Sequence, residues 1–122
     1  MRFPFHKHSS PDDHPVGVIR VDARTKDLVK RLNPGDIAVI DHSDLDRVAA
    51  ESLVEKRPAA VLNASPSVSG RYPNLGPGIL LDAGISLVDD LGPDIMRLHD
   101  GQRITVEDGS VRIEGKEQVI AE

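Results

Sequence analysis

The residues with the most chemistry to offer stand in one stretch: Ser65, Ser67, Ser69, Gly70, Arg71, Tyr72, Asn74 and Gly76. Serine hydroxyls and a planar guanidinium fork suit the oxygens of a carboxylate or phosphate. Gly70 lets the backbone approach a ligand closely, and Gly76-Pro77 predicts a helix start. Its free N–H groups and positive dipole end would add to an anion site, although Pro77 removes one donor. Ser69, Gly70, Arg71, Tyr72, Asn74 and Gly76 are therefore the first candidate ligand-binding set. A purely structural reading competes with it. There Arg71 pairs with a carboxylate such as Asp41 or Asp82, Tyr72 packs beneath the loop, and the Gly/Pro/Ser content serves turns alone.

A second constellation is Asp41, His42 and Asp44, with Ser43 among them. A histidine flanked by carboxylates suits a general base or a metal ligand. A simpler account uses Ser43 and the acidic residues as the start of the helix that follows. His6, His8, Asp13 and His14 resemble a loose metal cluster, but they stand in a Pro-broken arm that offers no rigid geometry. No metal or cofactor is expected. No nucleophile elbow, Walker loop or dinucleotide fingerprint is present, since Gly70 and Gly76 are too far apart and Gly76-Pro77-Gly78 is a weak match. Catalysis by this chain alone is thus unsupported.

The elements that would position these residues follow from periodicity. Residues 1–15 combine three prolines and three histidines without a pattern and predict a flexible arm; 16–122 predict one α/β domain. Val16 to Val21 is strand-like, and Asp22 to Leu32 carries Leu28, Val29 and Leu32 at helical spacing until Asn33-Pro34 stops it. Ile37 to Ile40 and Ala59 to Asn63 are short apolar runs of the kind buried on both faces of a sheet. Between them Ser43 and Asp46 suggest a capping box, with Leu45, Val48, Ala49, Ser52 and Leu53 as one core-facing stripe. Lys56-Arg57-Pro58 ends that helix. The loop of the first paragraph would therefore lie at the carboxyl end of a strand, where α/β sheets bind ligands. Gly76-Pro77 starts the next helix and Gly84 supplies its left-handed terminus. Ile85 to Val88 reads as a strand and Gly92-Pro93-Asp94 opens a short helix bearing Ile95, Met96 and Leu98. Arg103 to Glu107 and Ser110 to Glu114 alternate strictly around Asp108-Gly109, a strong hairpin signal. The fold class is α/β: central apolar strands flanked by helices, plus a C-terminal antiparallel hairpin. Val119-Ile120 is again strand-like near the last residue, as expected of a fragment of a longer protein.

Composition narrows the function classes. Aromatic residues make up 2% of the 122 residues and tryptophan is missing, so the core must be aliphatic. The absence of cysteine excludes disulfides and thiolate chemistry. Residues 1–34 carry about +3 and the remainder about −8, giving the formal net charge of −5. An acidic body argues against nucleic-acid binding, which needs a clustered basic face. Arg24, Lys26, Lys30 and Arg31 form the one basic segment, read as the solvated face of a short helix rather than a phosphate or lipid contact. No apolar run approaches the length of a membrane span and no signal-peptide core is seen, so a cytoplasmic chain without membrane contact is expected.

Two resemblances add to this reading. The order Pro34 to Ile40, helix, Ala59 to Asn63, loop, Ile79 to Ile85, then Leu98 to Val106 and a hairpin looks like the swivelling β/β/α domain. That is the mobile phosphohistidine domain of phosphoenolpyruvate-using enzymes. Gly84-Ile85 and the run Asp100 to Gly109 match two of its motifs. Its catalytic histidine lies in the loop before a helix, where this chain has no histidine. Phosphotransfer at that position is therefore excluded, and a degenerate phosphocarrier would have to use His42 or His99. A closer resemblance spans nearly everything from Gly17 onward. The runs Arg24 to Leu32, Pro34 to His42, Asp44 to Glu51 and Ser69 to Pro77 are similar to the amino-terminal domain of SteA-type proteins of actinobacteria, described as cytokinetic ring components. The resemblance implies a longer parent with a thiamin pyrophosphokinase-like domain, a membrane segment and a SteB-like membrane partner. It implies a non-catalytic interaction or scaffold domain in cell division, working through a protein partner or self-association at the cytoplasmic face of the membrane. The alternative is a module that binds an anionic small molecule or nucleotide through residues 65–77.

Overall fold

Two apolar runs form interior strands of the parallel half of the sheet, and every one of their residues is buried. In the computed structural model, which describes residues 15–68, 75–107, 110–113 and 119–121, these are β2 (Ile37–Ile40) and β3 (Ala60–Asn63). They pair in parallel, Ile37 against Ala60 through Ile40 against Asn63. β1 (Val16–Val21) flanks β2 in parallel and β4 (Ser86–Val88) flanks β3 in parallel. On the far side of β1 the direction reverses. β5 (Arg103–Glu107) runs antiparallel to β1, β6 (Ser110–Ile113) pairs with β5, and β7 (Val119–Ala121) pairs with β6. The mixed sheet has the order β4-β3-β2-β1-β5-β6-β7.

The parallel strands are joined by α1 (Thr25–Leu28), α2 (Arg47–Glu55) and α3 (Gly76–Asp82). Side-chain alternation divides β2 and β3 between two cores. Ala38, Ile40 and Val61 point to one face and pack with Leu28, Leu53 and Leu80 of the helices. Ile37, Val39, Ala60 and Leu62 point to the other, where Ile19, Ile104, Val106, Val111 and Ile95 of a short 3-10 helix (Pro93–Arg97) complete a second cluster. Helices thus cover one face, and the antiparallel half contributes to burying the other. In β5 the alternation is complete, with Ile104 and Val106 buried between less buried neighbours. This is the α/β domain with a C-terminal antiparallel strand pair that the patterning predicts; the Asp108-Gly109 turn lies outside the described residues.

Four local expectations need correction. The helix read over Asp22 to Leu32 is the single turn of α1. Asp22 Oδ1 instead accepts from Arg24 N at 3.0 Å, and beyond Leu28 the chain tightens into three-residue turns, Lys30 N to Asp27 O and Arg31 N to Leu28 O. The cap of α2 is Asp46 rather than Ser43: its Oδ1 accepts from Ala49 N at 2.8 Å. The core stripe of α2 is Ala50 and Leu53, supported by Leu45 just before the helix, while Val48 is 72% exposed. α3 begins at Gly76, one residue earlier than the Gly-Pro pattern suggests, with Leu75 as its N-cap.

At its other end α3 closes in a Schellman arrangement. Gly84, at φ 82°, donates to Leu81 O and Ile85 donates to Leu80 O. The end of the sheet opposite the carboxyl edge is packed too tightly for side chains at one point: a Cβ on Gly17 would lie 2.6 Å from Gly35 O. Nearby, Asp36 Oδ2 accepts from Asn33 N at 2.9 Å and from Arg20 Nε at 3.3 Å, tying β1 to the turn that leads into β2.

Candidate functional site

The carboxyl edge of the parallel strands is organised by Asn63, the last residue of β3 and fully buried. Its side-chain amide imitates another rung of the ladder: Oδ1 accepts from His42 N at 3.0 Å and Nδ2 donates to His42 O at 2.9 Å. Oδ1 also accepts from Ser65 N at 3.1 Å, and Nδ2 donates to Ser67 Oγ at 2.7 Å. Ser67 passes the polarity on, donating its hydroxyl to Asp89 Oδ1 at 2.6 Å while its N–H meets the same carboxylate at 2.9 and 3.0 Å. A closed chain therefore joins the segments after β2, β3 and β4. Backbone bonds reinforce it, from Leu45 N to Ser67 O, Asp44 N to Pro66 O, Leu91 N to Asn63 O and Gly92 N to Ala64 O.

This network places several sequence-derived candidates. Ser65 and Ser67, read as hydroxyls for an anion, donate instead to the protein's own carboxylates: Ser65 Oγ to Asp41 Oδ1 and Ser67 Oγ to Asp89. Gly76 is buried against the carbonyls of Leu45 and Asp46, with no room for a Cβ. That is a close helix-to-helix approach between α3 and the start of α2. Ser69, Gly70, Arg71, Tyr72 and Asn74 lie outside the described residues, as do His6, His8, Asp13 and His14 of the arm.

The structure brings His42 and Asp46 together, while Asp41 is taken up by Ser65. His42 Nδ1 and Thr25 Oγ1 are hydrogen-bonded at 2.9 Å, and Nε2 is 4.0 Å from Asp46 Oδ2. Asp44 adopts φ 53°, a left-handed conformation that aspartate tolerates, and turns the chain from β2 toward α2. Among the described residues, no group of three or more His, Asp or Glu could hold a metal ion.

Around His42 opens a cleft of about 480 Å³, within the range of small-molecule sites. Its first wall is the segment after β1, Ala23 to Lys26. Asp41, His42 and Ser43 form its floor at the end of β2. Asp46, Val48, Ala49 and Ser52 of α2 close the opposite side. The basic segment supplies one wall, but most of its charges are engaged: Arg24 and Lys30 with Asp27 at 3.8 Å each, Arg31 with Asp22 and Asp100 at 3.6 and 3.2 Å.

Thr25, Asn63 and Asp89 are not among the candidates that the sequence offers. A polar residue closing an otherwise apolar strand was the available signal for Asn63, and an aspartate directly after β4 the signal for Asp89. Among the described residues, no helix is long and apolar enough to cross a membrane. The fold and site define a small α/β domain with a mixed sheet and an ordered carboxyl edge. Compared with models of known protein families the chain matches none, and among curated proteins it likewise has no match.

Proposed function

We propose that this chain is a non-catalytic interaction and scaffold domain of a SteA-like cell-division protein, working through the carboxyl edge of its sheet. One observation carries the reading. Val48, Val68 and Leu75 are 72%, 53% and 62% exposed, and all three flank the first turn of α2. Val68 follows Ser67, whose carbonyl accepts from Leu45 N; Leu75 precedes Gly76, which packs on Leu45 O; Val48 stands three residues beyond Leu45. Single exposed apolar residues are ordinary, whereas several gathered on one ordered base mark a contact surface. The occupant assigned to it is a second copy of the chain, since a patch shared by both partners closes by two-fold symmetry. A SteB-like membrane partner belongs to the same proposal through the parent protein. So does the likeness to the swivelling β/β/α domain, supported by helices on one face of β2 and β3 and an antiparallel half that helps bury the other.

Light scattering on the full chain across a concentration series tests it. The unaltered chain is expected to dimerise, and Val48→Glu and Leu75→Glu, both at exposed positions, to return it to monomer with unchanged circular dichroism. A strict monomer at the highest concentration reached would overturn the assignment.

A further inference from the structure

The cleft between α1 and α2 has an uneven supply of hydrogen-bonding groups. Its acids are partly engaged. Asp41 receives the hydroxyl of Ser65, and Asp46 is committed through Oδ1 to Ala49 N as the cap of α2, while its Oδ2 stands 4.0 Å from His42 Nε2, beyond hydrogen-bond distance. Its donors are less engaged. Lys26, exposed on the first wall, has no carboxylate within 4.0 Å among the described residues. His42 is fixed at its backbone by both groups of the Asn63 amide and at Nδ1 by Thr25, which leaves Nε2 as its second ring nitrogen. In the tautomer in which the Thr25 hydroxyl donates to Nδ1, the ring proton sits on Nε2 and makes it a donor. Opposite these groups, Val48 and Ala49 present an aliphatic surface with nothing polar to satisfy.

We infer that this cleft binds a small organic anion, its oxygens held by Lys26 Nζ and His42 Nε2–H and its apolar body lying on Val48 and Ala49. The reading shares Val48 with the protein contact proposed above, while Val68 and Leu75 lie beyond the cleft, so Lys26 and His42 variants test the anion site separately from that contact. The side-chain ring is held in place before any ligand arrives, so ordering it costs little on binding. An ammonium and an N–H donor recognise the oxygens shared by carboxylates and phosphates, and the head group is separated by experiment.

The test is an amide NMR titration of the full chain with phenyl phosphate, with benzoate, and with benzyl alcohol as an uncharged control of similar body. Saturable shifts are expected at residues 23–26, 42–43 and 48–52 with at least one of the two anions, and the one that saturates names the head group. Benzyl alcohol is expected to bind about tenfold more weakly, and Lys26→Ala to weaken the anion by about tenfold, the loss of one charge-assisted contact. His42→Gln is expected to weaken it as well, while Lys30→Ala, on the same segment but outside the cleft, stays within about twofold. Because Lys26 is exposed, its variant keeps the fold. The inference is overturned if neither anion saturates, if the shifts lie elsewhere, or if Lys26→Ala binds as the unaltered chain does.

Discussion

Asn63 does for the carboxyl edge what a backbone rung does inside the sheet, and its four hydrogen bonds are made without water. Replacing it with alanine strands the N–H and C=O of His42 and removes the donor on Ser67. With buried groups left unpaired, a loss of roughly 2–4 kcal/mol is expected for Asn63→Ala, read as a lower urea midpoint at unchanged slope. Asn63→Asp keeps the acceptor but not the donor, and is expected to lose His42 O and Ser67 Oγ as partners. At this scale the sequence was half legible. Asp41, His42 and Asp44 were visible as a cluster, because carboxylates around a histidine can be read along the chain. The bonds that Asn63, Ser67 and Asp89 make span from 2 to 22 residues, and the long ones depend on strand order, which no local pattern contains.

At the scale of elements, α2 and α3 owe their close approach to Gly76. A methyl group there meets the carbonyl of Leu45, which is backbone and cannot swing aside. Gly76→Ala is expected to cost roughly 1–3 kcal/mol of overpacking, despite alanine being the better helix former, whereas Gly78→Ala has open space and is expected to be neutral or stabilising. Thermal melts of the two variants give opposite signs if the close approach governs. The strands β2 and β3 were legible from their continuous apolar runs, and β5 and β6 from alternation, because those patterns report burial on two faces or one. The phase of α2 was not. Val48 fits a helical stripe by spacing, yet the face of α2 that meets the sheet is chosen by Ala50 and Leu53, small and large residues that seat against α3 and β2. Hydrophobicity alone does not rank Val48 below Ala50; tertiary packing does.

For the whole molecule, the two cores share β2 and β3 as a common wall, so neither half is expected to unfold alone. Ile95, fully buried on the side of the antiparallel strands, is the probe for this. Ile95→Ala is expected to cost about 2–5 kcal/mol and to lower protection from amide exchange in β2 and β3 as much as in β5. Loss confined to β5 and β6 would show two separable units instead.

The place of β5 beside β1 has a consequence for how the molecule is made. Every parallel strand finds its neighbour soon after it is synthesised, but Val16 to Val18 must wait for Arg103 to Thr105 before their second edge is covered. Closing so long a loop adds little to its entropic cost, since that cost grows only logarithmically with length. It does set a schedule. Until the ribosome has passed Glu107, the first strand exposes a row of unpaired N–H and C=O groups in the middle of what will become the sheet. The nascent chain is therefore a template for stray pairing until the antiparallel strands emerge, and the seam is sealed only once β5 has been made.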